Sequence, residues 1–264
     1  MSSAAMPEAA GGDSSFEGRV ALVTGGLGAI GSAVVQVLRA RGATVVAADG
    51  AVKAAAGASD ILGDGAVFLD VTDRAAIAAL VARIEAQHGR LDVLVNVAGV
   101  VSFGPAQDLA EAEWDRVIDV NLKGSFLACQ AVMAGMKRRR YGRIVNIGSV
   151  VGKNAGNARA WIDAAEQQHA GNVAYGVSKA GVHAMTGFLA KEFAAHGITV
   201  NAVAPGPIAT AMTTNFPPQL AALVPVGRMG TPAEVARAVL FLASEDADFI
   251  TGEVLDLNGG MWCD

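Results

Sequence analysis

The stretch Thr24-Gly25-Gly26-Leu27-Gly28-Ala29-Ile30-Gly31 decides the fold, because it is a glycine-rich turn between an apolar run at 20–24 and a helical pattern at 30–41. Glycines in such a turn let a pyrophosphate approach the backbone N–H groups and the N-terminus of the following helix. Three glycine registers fit the turn, and in one of them Ala29 stands where a third glycine is usual. Each register predicts a strand–turn–helix unit that binds a dinucleotide.

Beyond this turn, short β-branched runs alternate with alanine-rich helical stretches to the end of the chain. The pattern predicts strands at 20–24, 44–48, 66–69, 92–97, 143–147, 199–204 and 254–257, and helices at 30–41, 75–87, 114–137, 173–195 and 232–243. Such alternation predicts an α/β fold with a doubly wound parallel sheet, a three-layer Rossmann fold with helices on both faces. We expect a disordered tail at 1–16 and one domain at 17–264. Ligands bind such sheets at the carboxyl ends of the strands.

Composition limits the classes of partner. The chain has 264 residues, 52% of them hydrophobic and 17% charged, which suits one domain with a sizeable core. A net charge of −5 argues against nucleic acid or an anionic membrane as partner. Apolar stretches are broken by polar residues before they reach the length of a membrane span, and the first residues lack the pattern of a signal peptide. Cys129 and Cys263 show no metal-ligand spacing. We expect a cytoplasmic protein that binds no metal.

Asp49 closes the second predicted strand, at the same edge of the sheet as the glycine turn. A carboxylate at this position accepts hydrogen bonds from the adenosine ribose of NAD and repels the 2′-phosphate of NADP. The turn itself carries no Arg or Lys. The sequence therefore predicts NAD as the cofactor in preference to NADP.

Tyr175 and Lys179 stand four residues apart in the predicted helix at 173–195, so their side chains share one face of that helix. A free phenol has a pKa of about 10, and a cation about 4 Å away contributes on the order of 4 kcal/mol, roughly three pKa units. The pair predicts a phenol whose pKa is lowered toward neutrality. Such a phenol donates or accepts a proton beside a hydride carrier.

Further motifs follow in order along the chain. They are Asp70-Val71, Asn96-Val97-Ala98-Gly99, Asn121 within Val-Asn-Leu-Lys-Gly, Ser149, Pro205-Gly206-Pro207-Ile208-Ala209-Thr210 and the closing Asn258-Gly259-Gly260. With the glycine turn and the Tyr175–Lys179 pair, these motifs resemble the short-chain dehydrogenase/reductase family, in its shorter single-domain branch. The resemblance covers nearly the whole chain outside the first residues.

The resemblance implies a catalytic set of Asn121, Ser149, Tyr175 and Lys179. Tyr175 would act as the base or acid toward an alcohol or ketone, and Lys179 would lower the phenol's pKa and bond the nicotinamide ribose. Ser149 would donate to the developing alkoxide, and Asn121 would hold a water that relays protons. The implied cofactor-binding set is Gly25, Gly28, Ile30, Gly31, Asp49, Asp70, Val71, Asn96, Ala98, Gly99, Tyr175, Lys179, Pro205, Gly206, Ile208 and Thr210.

These residues predict an NAD-dependent oxidoreductase that interconverts a small secondary alcohol and a ketone. Two alternatives remain: an epimerase or dehydratase of the sugar-nucleotide type, and a non-catalytic NAD-binding module. The substrate itself is not specified, and a keto- or hydroxyacyl thioester remains possible. The small residues of the helices at 114–137 and 173–195 allow close packing between subunits, and the resemblance implies a homotetramer.

The segment at 153–171 is an insertion between Ser149 and Tyr175. Its middle has good helix formers with Trp161 and Ile162 at helical spacing, so we expect a short helix that covers the substrate mouth as a lid. A surface ornament or an oligomer contact is the alternative. Trp161, Ile162 and Met212 are the candidate substrate contacts.

Overall fold

A computed structural model describes residues 15–51, 66–156, 165–166, 172–210 and 222–263. Seven parallel strands form one sheet in the order β3-β2-β1-β4-β5-β6-β7. Their bounds are β1 Val20–Thr24, β2 Thr44–Asp49, β3 Val67–Phe68, β4 Val93–Asn96, β5 Gly142–Ile147, β6 Ile198–Pro205 and β7 Val254–Leu257. The predicted doubly wound Rossmann fold is confirmed. Every predicted strand lies within one residue of its observed bounds at each end.

Helices cover both faces of the sheet. They are α1 Ala29–Ala40, α2 Arg74–His88, α3 Glu111–Ile118, α4 Gly124–Arg139, α5 Val151–Asn154, α6 Val173–Phe193 and α7 Pro232–Ala243. Short 3₁₀ turns lie at Ala106–Asp108, Ala194–His196 and Glu245–Ala247. The strand order reverses between β1 and β4, and at such a switch point a crevice opens beyond the carboxyl ends of the strands.

The core consists of two apolar layers, one on each face of the sheet, because successive strand residues point to opposite faces. Leu22 of β1 packs into the layer that contains Ile84 of α2 and Met136 of α4. Its neighbour Val23 packs into the layer formed with Leu38 of α1 and Val239 of α7. Strands buried on both faces read as continuous apolar runs, which explains the run Val-Ala-Leu-Val in β1.

The ordered domain begins before the predicted boundary at 17. Phe16, which the prediction placed in a disordered tail, is 2% exposed in the core, and its N–H donates to the carbonyl oxygen of Arg41 at 2.8 Å. The phenyl ring of Phe16 packs in the apolar layer on the face of the sheet that α1 covers. The tail prediction is therefore wrong at this residue.

The helix predicted at 114–137 lies within one helical stretch, Glu111–Arg139, but the prediction did not include the π-helical segment that interrupts it. A π-helical segment, Asp119–Lys123, separates α3 from α4 and carries Asn121. Within the described part of the chain, the stretch Glu111–Arg139 is also the one helix long and apolar enough to cross a membrane by length and composition. Half of its apolar window is buried inside the protein, and packing in the core accounts for that apolar character.

Candidate active site

The predicted ligand edge of the sheet carries a cleft of about 830 Å³. It lies over the carboxyl ends of the central strands, between the glycine turn at 24–31 and the start of α6. Residues from distant parts of the sequence meet there because parallel strands end at the same edge. Of the cofactor residues implied by the resemblance, all but Asn96 line this cleft.

At two positions of the turn, contacts within the protein leave no room for a side chain, so glycine is required there. Gly25 has φ +65°, and a Cβ there would lie 2.6 Å from the backbone nitrogen of Ala98. A Cβ on Gly31 would lie 2.0 Å from the carbonyl oxygen of Gly25. Neither contact can be relieved without moving backbone, so these glycines set the close packing of α1 against the strand ends.

Gly28 differs, because a Cβ there would meet nothing closer than the Gly25 oxygen at 3.4 Å. Gly28 is the N-cap of α1, which has no side-chain cap and no acidic residue in its first turn. A helix N-terminus with uncapped N–H groups beside a position without a side chain fits a phosphate group. The residues present therefore fit the pyrophosphate of a dinucleotide.

Asp49 and Asp70 both use their carboxylates to organise backbone. The two oxygens of Asp49 accept the N–H groups of Leu27 at 3.0 Å and Ala51 at 2.9 Å. Asp70 accepts the N–H of Thr72 at 2.8 Å and its hydroxyl at 2.7 Å. Asp49 thus connects the end of β2 to the glycine turn, a role that the sequence does not reveal.

Ser149 and Tyr175 both line the cleft, and the Ser149 side chain lies near enough to the phenol to influence its pKa. Ser149 follows β5, and its Oγ accepts the N–H of Val151 at 3.3 Å. That contact uses a lone pair and leaves the hydroxyl hydrogen to be donated. Burial raises the pKa of Tyr175, and the Ser149 side chain opposes that rise.

Lys179 lies one helical turn after Tyr175 and is 4% exposed. Its Nζ donates to the carbonyl oxygen of Ile147 at 2.7 Å and lies 5.7 Å from the centre of the Tyr175 ring. Burial lowers the pKa of Lys179 to about 8. The sequence-based expectation of a phenol lowered toward neutrality is wrong for this structure, because burial dominates at Tyr175 and the ammonium is directed at Ile147.

Asn121 is fully buried beneath the cleft and does not line it. Its Oδ1 accepts the N–H of Val100 at 2.8 Å, while its Nδ2 donates to the Val100 carbonyl at 2.9 Å and to the hydroxyl of Ser178 at 2.9 Å. The side chain therefore connects the loop after β4 to α6. The π-helical segment turns Asn121 toward both, and such segments are frequent at functional sites.

Asn96 lies under the sheet edge and not in the cleft. Its Nδ2 donates to Oδ1 of Asn146 at 2.9 Å, and Asn146 in turn donates to the hydroxyl of Thr186 at 3.0 Å. The side chain does not line the cleft but joins β4, β5 and α6 within the core. Cys129 lies beside Asn96, and burial raises the pKa of its thiol to about 12.

The candidate substrate contacts Trp161, Ile162 and Met212 lie outside the described residues, as does most of the predicted lid at 153–171. Sequence analysis missed Gly148 and His183. Gly148 lines the cleft beside Ser149, and Nε2 of His183 accepts the N–H of Ser149 at 3.3 Å. The signal for His183 was its position four residues after Lys179, on the same helix face. Among the described residues, no group of three or more His, Cys, Asp or Glu side chains could hold a metal ion.

Known proteins resemble the chain over nearly its full length. A protein-family model described as enoyl-(acyl carrier protein) reductase matches residues 26–262. The 3-oxoacyl-[acyl-carrier-protein] reductase of Escherichia coli is 42% identical over 94% of this chain and 98% of its own. The enzyme of that name from Thermotoga maritima is 41% identical over 93% of this chain and 98% of its own. The crystal structure of gox2181 superposes with a TM-score of 0.82 and 36% identity, covering 94% of this chain and 96% of that one.

The chain belongs to the short-chain dehydrogenase/reductase family. The predicted family is thereby confirmed, as is the activity class: the chain is an oxidoreductase that interconverts a ketone and an alcohol. Neither the epimerase alternative nor the non-catalytic module agrees with these relatives.

The predicted preference of this short-chain dehydrogenase/reductase for NAD over NADP is wrong. The 3-oxoacyl-[acyl-carrier-protein] reductases to which it is similar are NADPH-dependent. The prediction rested on the Asp49 carboxylate alone, whose two oxygens accept backbone N–H groups in this structure. A nicotinamide cofactor remains.

Proposed function

We propose that this short-chain dehydrogenase/reductase reduces a 3-oxoacyl thioester to the 3-hydroxyacyl thioester, with the acyl group carried on acyl carrier protein. The observation that carries the proposal is that Ser149, Tyr175 and Lys179 line one cleft, in a chain 42% identical to reductases of that name. Those relatives also support NADPH as the reductant. Asn121, Ser149, Tyr175 and Lys179 are the proposed catalytic set.

The chemistry needs a proton at the carbonyl oxygen as the carbonyl carbon is reduced. The hydride for that carbon would come from a nicotinamide bound in the cleft. Tyr175 gives its phenolic proton to the oxygen, and the phenol holds that proton near neutral pH because burial raises its pKa. Ser149 donates its hydroxyl hydrogen to the same oxygen as negative charge develops there. Lys179, held against the Ile147 carbonyl, stabilises the phenolate that remains.

The cofactor would lie along the remaining lining of the cleft. The glycine turn and the N-terminus of α1 would hold the pyrophosphate, and Asp70 and Val71 would hold the adenine. Pro205, Gly206, Ile208 and Thr210, which line the same cleft, would hold the nicotinamide. Val101 and Val120 give the same cleft an apolar part that supports an acyl group.

The insertion at 153–171 stays a proposed substrate lid. Its first residue is anchored to β7: Lys153 Nζ donates to the carbonyl oxygen of Val254 at 3.0 Å and pairs with Asp256 at 3.1 Å. If the remainder covers the substrate, Trp161→Ala raises KM for long acyl chains and leaves NADPH affinity unchanged. An unaltered ranking across a chain-length panel would support the surface-ornament alternative.

We also propose a homotetramer in the cytoplasm. Large apolar side chains on α4 and α6 are exposed, with Phe126 38%, Val177 44% and Phe188 79% accessible. Exposed apolar side chains of this size suit contact with further copies. Light scattering is expected to give four times the chain mass, and a value near the 26.7 kDa of one chain would contradict the assembly.

The function is tested by following NADPH and NADH oxidation with three substrates: acetoacetyl and crotonyl thioesters of acyl carrier protein, and a simple ketone. We expect the acetoacetyl thioester with NADPH to give the highest kcat/KM. Faster turnover of the crotonyl thioester would favour enoyl reduction, as the family description indicates. Turnover of the simple ketone alone would remove the acyl carrier protein as partner.

A further inference from the structure

His183 contacts the loop that carries Ser149, although no role in the reaction has yet been assigned to it. The residue lies on α6 one turn beyond Lys179, and its Nε2 accepts the backbone N–H of Ser149 at 3.3 Å. An imidazole nitrogen that accepts a hydrogen bond carries no proton. The contact therefore fixes a neutral His183 with Nε2 directed at Ser149.

Glycines on both sides of Ser149 leave room for this imidazole. A Cβ on Gly148 would lie 2.1 Å from Nε2 of His183, whereas a Cβ on Gly152 would first meet the α6 backbone, 2.7 Å from the nitrogen of Ala180, and then Cε1 of His183 at 2.9 Å. Neither glycine has a positive φ, so turn geometry does not demand glycine at these positions. Gly148 thus packs directly against the His183 ring, and Gly152 packs against the α6 backbone beside it.

The hydrogen bond at Ser149 differs from those of its neighbours in the loop. The N–H of Gly148 donates to the Val203 carbonyl at 2.8 Å, and that of Val150 donates to the Pro205 carbonyl at 2.9 Å. Both therefore attach the loop to β6. The N–H of Ser149 attaches it to the helix that also carries Tyr175 and Lys179.

We propose that His183 is a positioning residue for the reduction, holding the backbone of Ser149 so that its hydroxyl faces the Tyr175 hydroxyl. The proposal rests on the proposed function, because it assigns a reason for the geometry of the proposed Ser149–Tyr175 pair. His183 touches neither substrate nor cofactor in this role. It acts through the orientation of Ser149.

The test compares two substitutions of His183. His183→Leu keeps a similar volume but removes the acceptor, whereas His183→Gln keeps an acceptor oxygen at a similar reach. Misalignment of a catalytic group can lower turnover on the order of 10- to 100-fold. We expect His183→Leu to lose that much kcat on the acetoacetyl thioester, with KM and the Kd for NADPH unchanged. His183→Gln is expected to recover most of the lost kcat.

A second readout separates positioning from packing. Tyr141 and Tyr175 are the two tyrosines of the chain, so a Tyr141→Phe background leaves Tyr175 as the sole source of tyrosinate absorbance. The Ser149 side chain holds the pKa of Tyr175 below the value that burial alone would give. In that background, His183→Leu raises the Tyr175 pKa further, and His183→Gln does not.

His196, in the 3₁₀ turn after α6, provides the matched control as His196→Leu, which should retain wild-type kcat. Equal losses in His183→Leu and His183→Gln, or an unshifted Tyr175 pKa in both, would overturn the inference. Ser149→Ala distinguishes failure of the His183 inference from failure of the proposed function. If Ser149→Ala is inactive while His183→Leu is fully active, the inference fails and the proposed function stands; an active Ser149→Ala removes the proposed function as well.

Discussion

The two walls of the cleft are built in opposite ways. The glycine turn at 24–31 forms its surface from backbone atoms, and a Cβ at Gly31 would collide with the backbone oxygen of Gly25 at 2.0 Å. The catalytic wall, which comprises the loop at 148–152 and the first half of α6, forms its surface from side chains. There, a Cβ at Gly148 would collide with the imidazole of His183 at 2.1 Å.

This difference separates binding from turnover. Backbone cannot be repositioned cheaply, so substitutions in the glycine turn act on stability and on cofactor affinity. Side chains on the catalytic wall hold and move protons, so substitutions there act on kcat. Each of the following predictions breaks or sharpens that contrast.

The largest effect is expected at Tyr175. Tyr175→Phe removes the phenolic proton while preserving the ring, and loss of a general acid lowers turnover by about 10²- to 10⁴-fold. Fluorescence titration should show the Kd for NADPH unchanged. Substantial residual turnover would mean that another group supplies the proton, and weakened NADPH binding would mean that the two walls are not separable.

The next largest effect is expected in the pH dependence of the free energy of unfolding, to which Lys179 contributes. Its folded pKa of about 8 is below the ordinary value of 10.5, so between these two pH values the unfolded chain holds a proton that the folded chain has released. Unfolding then takes up a proton, and the free energy of unfolding rises with pH across this window. Below pH 8 Lys179 is charged in both states, so the full cost of burying that charge lowers the free energy of unfolding.

The rise attributable to Lys179 amounts to about 3 kcal/mol, at roughly 1.4 kcal/mol per pKa unit. Lys179→Met has no titrating group at this position and should lack the rise. Urea unfolding of both proteins at several pH values between 8 and 10.5 gives the free energy of unfolding against pH. The rise is measured as the difference between the slopes for the wild type and Lys179→Met. Parallel pH profiles would show that Lys179 titrates at its ordinary pKa in the folded protein.

Sequence patterns predicted the sheet well because its signals are local. β1 was predicted with its exact bounds as an apolar run that ends at the glycine turn, and α7 likewise, where Thr231 and Glu234 form a capping box around Pro232. These signals depend on neighbours in the sequence, so they need no knowledge of the tertiary contacts.

The misses share a different cause, since each depends on a contact distant in sequence. The π-helical segment lies where the Asn121 side chain forms hydrogen bonds with the backbone of Val100, and the local sequence pattern does not indicate it. Asp49 was assigned to the ribose because the N–H groups that it accepts could not be seen. The pKa of Tyr175 was expected to fall because the Ile147 carbonyl, which holds Lys179, was unknown.

A pair of substitutions in the glycine turn should give the third effect. Gly31→Ala places a Cβ against the Gly25 oxygen, and overpacking of this kind costs about 2 kcal/mol of stability. Gly28→Ala has room, since its nearest contact would be 3.4 Å, so it should unfold like the wild type. We expect Gly28→Ala to weaken NADPH binding without lowering Tm, because the methyl group would stand where the pyrophosphate approaches. Wild-type affinity in Gly28→Ala would place the pyrophosphate elsewhere.

The smallest effect is expected at Asn96, which lies below both walls. Asn96→Ala removes the amide that donates to Oδ1 of Asn146 and so weakens the connection between β4 and β5. Cys129 still contacts that oxygen at 3.8 Å, so the cost falls at the low end for a lost buried partner, about 1 kcal/mol. Thermal unfolding should detect this loss, whereas the Kd for NADPH and kcat should match the wild type. If Asn96→Ala lowers the binding free energy of NADPH by more than the free energy of unfolding, Asn96 is a cofactor-binding residue. The core below the cleft then contributes to cofactor binding together with the glycine turn.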